Sequence, residues 1–475
     1  MSQEFDGTQR IVILGGGPGG YEAALAGAQL GAEVTLIERA GVGGSAVLTD
    51  VVPSKSLIAT AAAAGAVASA SDLGVQFFAR DAGGQASIPE IAINLAAVNK
   101  RLLGLAAQQS EDMRRTLVDA GVRILTGEGR LEGPNRVVVA AGTVDFEHLN
   151  ADTVVLAVGA RPRILPTARP DGERILTWTQ LYQLQQVPEH LIVVGSGVTG
   201  AEFAAAYRAL GAEVTLVSSR ERVLPGEDDD AAELIENVFR RNGMQVVSQA
   251  RADQVVRDGD GVVVTLSDGR QITGSHCLMA VGSIPNTNGI GLEDAGVQIT
   301  ESGHVRVNRV ARTSVPNIYA AGDCTTYVPL ASVASMQGRT AVFHAMGDIV
   351  NPPEQRNITS NVFTNPEIAT VGWTQHDVED GAKPGLVFKV PLAENPRAKM
   401  MGVTEGFVKL FASKDSRTVI GGVVVAPNAS ELIFAVAQAV TNRRTVDQLA
   451  QTFPVYPSLM GSIADAARAL HAAAR

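Results

Sequence analysis

The strongest constraint on this chain is a segment that occurs twice. Residues 30–38 read Leu-Gly-Ala-Glu-Val-Thr-Leu-Ile-Glu, and residues 210–218 read Leu-Gly-Ala-Glu-Val-Thr-Leu-Val-Ser. Each copy closes a unit that opens on an apolar run, Arg10–Leu14 or Leu191–Val194. The run passes into a glycine turn, Gly15-Gly-Gly-Pro-Gly-Gly20 or Gly195-Ser-Gly-Val-Thr-Gly200, and then a helix, expected over Tyr21–Leu30 and Ala201–Leu210. A continuous apolar run of this length is how a parallel strand buried on both faces reads. Strand, helix and strand in succession form a βαβ crossover, so the chain is expected to be α/β with two doubly wound parallel sheets.

The turns carry chemistry. Gly15, Gly17 and Gly20 have the spacing that lets a pyrophosphate approach backbone while the next helix aims free amides and its positive dipole end at it. Glu38 ends the following strand, where a carboxylate accepts bonds from two ribose hydroxyls. Gly195, Gly197 and Gly200 repeat the spacing, so two Rossmann-like dinucleotide sites are expected. At the second site Ser218 stands where the acid would be, with Arg220 and Arg222 just beyond. Loss of the acid removes repulsion against a ribose phosphate and an arginine can bind one, which favours NADPH with NADH still usable; the alternative is that the arginines face solvent.

Between and after these units, Ile91–Ala120 reads as a helix and Val122–Val139 as short strands. Asp152–Gly159 and Ser275–Gly282 are matching buried strands ending in glycine, and Asn317–Asp323 is a strand ending at an acid. Pro352-Pro353 marks a linker, and the remainder, with strand Gly406–Phe411 and helix Ala429–Thr441, reads as α+β. The acidic run Glu227–Asp230 favours the positive end of a helix over Ala231–Arg241, closed by Asn242-Gly243.

A net charge of −10 repels phosphate backbones and argues against nucleic acid as the main partner. The two cysteines, Cys277 and Cys324, offer neither a CxxC, a zinc spacing nor a disulfide framework, so no metal is expected. Residues 1–10 are polar and no apolar run reaches about twenty residues, Ala59–Ala70 coming closest. No membrane span and a cytoplasmic location are expected.

Further motifs add a family. Gly43-Gly44, Pro53-Ser-Lys55, Ala157-Val-Gly159, Ala321-Gly-Asp323, Phe363-Thr-Asn-Pro-Glu-Ile-Ala369 and Asn395-Pro-Arg-Ala-Lys399, with the paired turns, resemble the pyridine-nucleotide flavoprotein disulfide reductases, in particular the lipoamide dehydrogenase branch, over nearly the whole chain. The resemblance implies an FAD-binding domain over 1–160 and 284–352, an NAD(P)-binding domain over 161–283, and a C-terminal α+β dimerisation domain over 353–475 that makes a homodimer. It implies that Gly15, Gly17, Gly20, Glu38, Gly44, Lys55, Gly129, Gly159, Asp323 and Ala331 bind FAD. Gly195, Gly197, Gly200, Glu202, Ser218, Arg220 and Gly282 would bind NADPH or NADH. Lys55 would sit beside the reactive flavin nitrogen, paired with Glu202.

The departures bear on the reaction. Where the family has its Cys-x4-Cys redox pair, this chain has Ala46 and Val51; where it has a C-terminal histidine and glutamate, this chain has Tyr456 and Gly461. Thiol exchange needs a thiolate, which neither alanine nor valine supplies. The expectation is an FAD-dependent NAD(P)H:quinone oxidoreductase passing two electrons directly to a quinone. A pyridine nucleotide transhydrogenase and a catalytically silent FAD-binding scaffold are the alternatives. Tyr456 is expected either to meet the quinone or to fill the dimer seam.

Overall fold

The computed structural model describes residues 8–75, 79–80, 86–87, 92–142 and 144–473. Residues 1–7 of the polar N-terminus and Ile91, the expected start of the long helix, lie outside the described residues. The chain forms two compact units: Met1–Ser56 with Asn99–Arg163 and Gly282–Pro353, and Leu57–Val98 with Ile164–Val281 and Glu354–Arg475.

In the first unit, five parallel strands run in the order Ile318–Ala320, Thr153–Leu156, Arg10–Leu14, Glu33–Glu38, Arg123–Thr126. Side chains alternate across the pleat. Val12, Leu14, Val154, Leu156, Ile318 and Ala320 enter one core, and Ile11, Ile13, Val34, Leu36, Val155 and Tyr319 the other. Both faces are therefore apolar, which explains the unbroken apolar runs in the sequence. The helix Pro18–Gln29 packs its alanines, Ala23, Ala24 and Ala26, into the second of these cores. An antiparallel sheet of Glu128–Leu131, Arg136–Ala141 and Val144–Asn150 belongs to the same unit.

The second unit repeats this plan. Ile175–Leu176, His276–Met279, His190–Val194, Glu213–Val217 and Gln245–Val247 form a parallel sheet. Ala252–Asp258, Gly261–Leu266 and Gln271–Gly274 form its antiparallel three-stranded companion. The likeness visible in nine residues of sequence thus extends to a whole sheet. The C-terminal segment adds an antiparallel sheet ordered Thr359–Val362, Glu367–Gly372, Val419–Ala426, Phe407–Ser413, Gly385–Pro391. The helices Ala429–Thr441 and Gly461–Ala473 bury Ile433, Val436, Ile463 and Leu470 in its core.

Two helices begin earlier than expected, at Pro18 and Val198 rather than Tyr21 and Ala201. Glycine is a poor helix former, but Gly20 and Gly200 lie in the first helical turn because the chain behind them leaves no room for a side chain. The long helix runs Leu95–Asp119. Among the described residues, Gly44–Ala68 is the one helical stretch long and apolar enough to cross a membrane, with mean hydropathy 1.4. It comprises two helices, Gly44–Leu48 and Val51–Ala68, and buries Val47, Ser54 and Leu57.

Candidate active site

The two glycine turns have one geometry. Gly15 has φ +99° and Gly195 φ +111°, a left-handed conformation suited to glycine. A Cβ on Gly15 would stand 2.3 Å from the Ala157 carbonyl oxygen, and one on Gly195 2.2 Å from that of Ala280. A Cβ on Gly20 or Gly200 would stand 1.9 or 1.8 Å from the oxygen of the first glycine of its own turn. The outer glycines are thus demanded by the protein's own packing. The middle ones are not: a Cβ on Gly17 or Gly197 would meet nothing within 4 Å. Gly17 (φ −64°, ψ −178°) and Gly197 (φ −71°, ψ −175°) are the N-caps of the helices Pro18–Gln29 and Val198–Ala209, and neither helix has a side-chain cap. Open space over uncapped helical amides fits a dinucleotide pyrophosphate at both turns.

The strand ends distinguish the two. Glu38 Oε2 accepts from the Gly16 amide at 2.6 Å and its Oε1 from the Ala40 amide at 2.8 Å, leaving lone pairs on both oxygens for hydroxyl donors. At the second turn Ser196 replaces Gly16, and its Oγ bonds Ser218 Oγ at 2.7 Å. Ser218 is fully buried beneath the turn and also accepts from the Arg220 amide at 3.1 Å. Arg220 itself is exposed, and its guanidinium has no hydrogen bond or ion pair among the described residues, whereas Arg222 approaches Glu233 at 3.6 Å.

Around the first turn, Gly44 (φ +56°) lies so close that a Cβ would stand 3.0 Å from the Gly17 Cα, and the Gly43 amide donates to the Gly16 oxygen at 2.7 Å. The helices that follow carry Ala46, Val51 and the half-buried Lys55. The strand Ile318–Ala320 delivers Asp323, whose carboxyl burial holds above the ordinary carboxylate range. No donor among the described residues hydrogen-bonds that carboxylate. Such a half-buried acceptor fits a polyhydroxyl chain. Ala331 opens a helix, Ala331–Ala345, that likewise lacks a side-chain cap. That helix meets Pro18–Gln29 at Gly338, where a Cβ would stand 2.0 Å from the Gly19 oxygen.

Gln337, which sequence reasoning missed, is buried beside this crossing and accepts from the Gly322 amide at 2.8 Å, fixing the loop that presents Asp323. Its only signal is an amide side chain next to a glycine, Gln337-Gly338, within the helix Ala331–Ala345. Gly129 faces core side chains, a Cβ there standing 3.0 Å from Leu14 Cγ and 3.2 Å from Ile37 Cδ1. Gly159 (φ +64°) and Gly282 (φ +89°) flank the antiparallel pair Ala160–Pro162 and Ser283–Pro285.

In the second unit Glu202 is 3% exposed, and its Oε1 accepts from the Phe363 amide at 2.9 Å, so the Phe363–Ala369 motif braces this carboxylate. Tyr456 is 81% exposed beside Phe453 and Val455, both also exposed. The segment is anchored by buried Asn395, whose Nδ2 donates to the Ser458 carbonyl oxygen at 3.1 Å and to Ser462 Oγ at 2.9 Å. Both cysteines are free and buried; burial pushes the Cys324 thiol up to about 11 and the Cys277 thiol up as well. Among the described residues no group of His, Cys, Asp or Glu could hold a metal ion.

Comparison with known proteins agrees with this geometry. The family described as pyridine nucleotide-disulphide oxidoreductase matches residues 9–338, and its dimerisation domain residues 358–467. The chain is 50% identical over 472 residues to the NAD(P)H dehydrogenase (quinone) of Mycobacterium tuberculosis, covering 98% of this chain and 94% of that one. It is 30% identical over 482 residues to the dihydrolipoyl dehydrogenase of Bacillus subtilis, covering 99% and 98%. The crystal structure of LpdA from Mycobacterium tuberculosis matches with TM-score 0.91 at 49% identity, covering 98% of this chain and 100% of that one. With two glycine cradles, a C-terminal dimerisation domain and relatives along its whole length, the chain belongs to the pyridine nucleotide-disulphide oxidoreductases, enzymes that use FAD and NAD(P)H.

Proposed function

We propose that this flavoprotein is an NAD(P)H:quinone oxidoreductase that works without a redox disulfide. The observation that carries the reading is the pair Ala46 and Val51, on two consecutive helices of which the first starts against the flavin-side glycine turn, in a chain whose only two thiols are buried elsewhere. Bound FAD would supply two-electron chemistry between the nucleotide and the quinone, the hydride of NAD(P)H and one proton from solvent together accounting for the NAD(P)+ and hydroquinone formed. The chain's own part is to bind, orient and keep the acceptor side open. Small apolar side chains at 46 and 51 suit a flat, hydrophobic oxidant in place of a disulfide substrate. The relative named NAD(P)H dehydrogenase (quinone), at 50% identity, supports the same acceptor class.

In this reading the residues 1–160 and 284–352 hold FAD through Gly15, Gly17, Gly20, Glu38, Gly44, Gly129, Gly159, Asp323 and Ala331. Residues 161–283 hold NAD(P)H through Gly195, Gly197, Gly200 and Gly282, with Arg220 meeting a ribose phosphate and Ser218 bracing the turn beneath it. Glu202 borders the nicotinamide side. Lys55 supplies a cation where the flavin gains negative charge. Residues 353–475 form a homodimer, and the exposed aromatic segment at Tyr456 is a surface for the second copy. The cytoplasm, where both nicotinamide pools are available, is the proposed location.

The test is steady-state oxidation of NADPH and NADH by the purified flavoprotein with a soluble benzoquinone or lipoamide as acceptor. Fast turnover with quinone and none with lipoamide is expected. Comparable turnover with lipoamide, or a flavin that neither nucleotide reduces, overturns the proposal. Hydride transfer from NADPH to an NAD analogue faster than to any quinone would identify a transhydrogenase instead.

A further inference from the structure

A lysine lies inside the C-terminal sheet. Lys409 occupies the middle of strand Phe407–Ser413 and is 1% exposed. Its Nζ donates to Asp228 Oδ1 at 2.7 Å and Oδ2 at 2.9 Å and to Gln375 Oε1 at 2.5 Å, and pairs with Asp230 Oδ2 at 2.6 Å. An ammonium in such a place is costly unless its donors are met, and an apolar residue of the same volume would pack there more simply. The cluster therefore calls for a role besides filling the core.

What it holds suggests that role. Asp228 is the N-cap of helix Asp229–Arg241, accepting from the amides of Asp230 and Ala231. It ends the segment that leaves the strand Glu213–Val217 through Ser218 and carries Ser219, Arg220 and Arg222. Midway, the Leu224 amide donates to the Ser196 oxygen of the glycine turn at 2.8 Å, and the Val223 amide to Glu236 Oε2 at 3.2 Å. Leu224 adopts φ +55°, a conformation a leucine keeps only when its surroundings impose it. The segment is thus fastened to the glycine turn in its middle and to Lys409 at its far end.

We propose that Lys409 is a positioning residue for the nicotinamide nucleotide: by gripping Asp228 it sets the 219–228 segment so that Arg220 meets the ribose phosphate. The inference rests on the reading that the second glycine turn takes NAD(P)H.

The experiment compares Lys409→Met, the double variant Lys409→Met/Asp228→Asn and Gly197→Val with the wild-type holoenzyme. The double variant removes the stranded carboxylate charge but keeps a capping oxygen, so it guards against failure to fold. Calorimetric titration gives Kd for NADP+ and NAD+, and turnover with benzoquinone gives KM and kcat for NADPH. For both Lys409 variants, a rise of fivefold or more in Kd for NADP+ and KM for NADPH is expected. The rise should be smaller for NAD+, with kcat within twofold and an unchanged flavin spectrum. Kd values within twofold of wild type in a folded variant overturn the proposal, as does an equal rise for both nucleotides, which marks mere loosening. Gly197→Val separates the two layers. If it weakens nucleotide binding while the Lys409 variants do not, only the role of Lys409 falls; if it too has no effect, the nucleotide reading falls with it.

Discussion

Ser196 and Ser218 share a 2.7 Å hydrogen bond at the place where, one repeat earlier, the Gly16 amide meets the Glu38 carboxylate. The contact between turn and strand end is kept while its charge is removed. Restoring the first arrangement by the double change Ser196→Gly and Ser218→Glu should convert the second site to one that repels a ribose phosphate. The kcat/KM for NADPH is expected to fall about tenfold or more relative to NADH, equivalent to roughly 1.4 kcal/mol. An unchanged ratio in steady-state kinetics would show that this strand end does not face the ribose.

The glycines within one turn should respond differently to the same added carbon. Gly200→Ala must push a Cβ into space 1.8 Å from the Gly195 oxygen, so it should unfold the unit or lower Tm sharply. Gly197→Ala adds its Cβ to open space in an extended conformation that any residue adopts. Its Tm without nucleotide should stay within about 3 °C of wild type, while KM for NADPH rises. Thermal unfolding beside steady-state kinetics checks both, and a reversed order of sensitivity would contradict the cradle.

Neither thiol should take part in turnover. With its thiol held near 11, Cys324 carries on the order of one thiolate per thousand at pH 8, and Cys277 fewer; both are also shielded from solvent. Iodoacetamide is expected to label no cysteine in the native protein and both after unfolding, with quinone turnover unaffected. Native labelling coupled to loss of activity would bring a sulfur step back into the mechanism.

Burial raises the Asp323 carboxyl above its ordinary value, so the folded, flavin-stripped chain holds that proton more tightly than the unfolded one. The sign follows: this group costs stability as pH rises from the ordinary carboxylate value through its raised value in the folded chain. Asp323→Asn should raise the Tm of flavin-stripped protein at pH 7, and the gain should fade as pH falls toward 4. Flavin retention should move the opposite way, falling in the variant. Tm by calorimetry and flavin content after gel filtration measure the two effects.

Much of this architecture is legible in the residues because it depends on local rules. The apolar runs at Arg10–Leu14 and His190–Val194 give parallel strands, and the glycine spacing gives the turns. Helix Ala429–Thr441 runs between the expected bounds. The illegible parts rest on partners distant in sequence. The acidic run Glu227–Asp230 reads as a helix-dipole feature, and Asp228 does cap that helix, but nothing in the run reveals a lysine in another sheet. Ser218 reads as a ligand-facing residue because of its position after the strand, whereas its burial depends on Ser196 having a hydroxyl to meet it. Gln337 acts through the Gly322 amide, a contact only the helix crossing creates.

The near-contact of Gly44 with Gly17 has a consequence for how this protein withstands its surroundings. The stretch from Gly43 to Val51 is fixed at its start by backbone pressed on backbone, with no crosslink within it to open or close. No opening or closing of a disulfide can therefore reshape it, and peroxide or a heavy-metal thiol poison finds no sulfur there to attack.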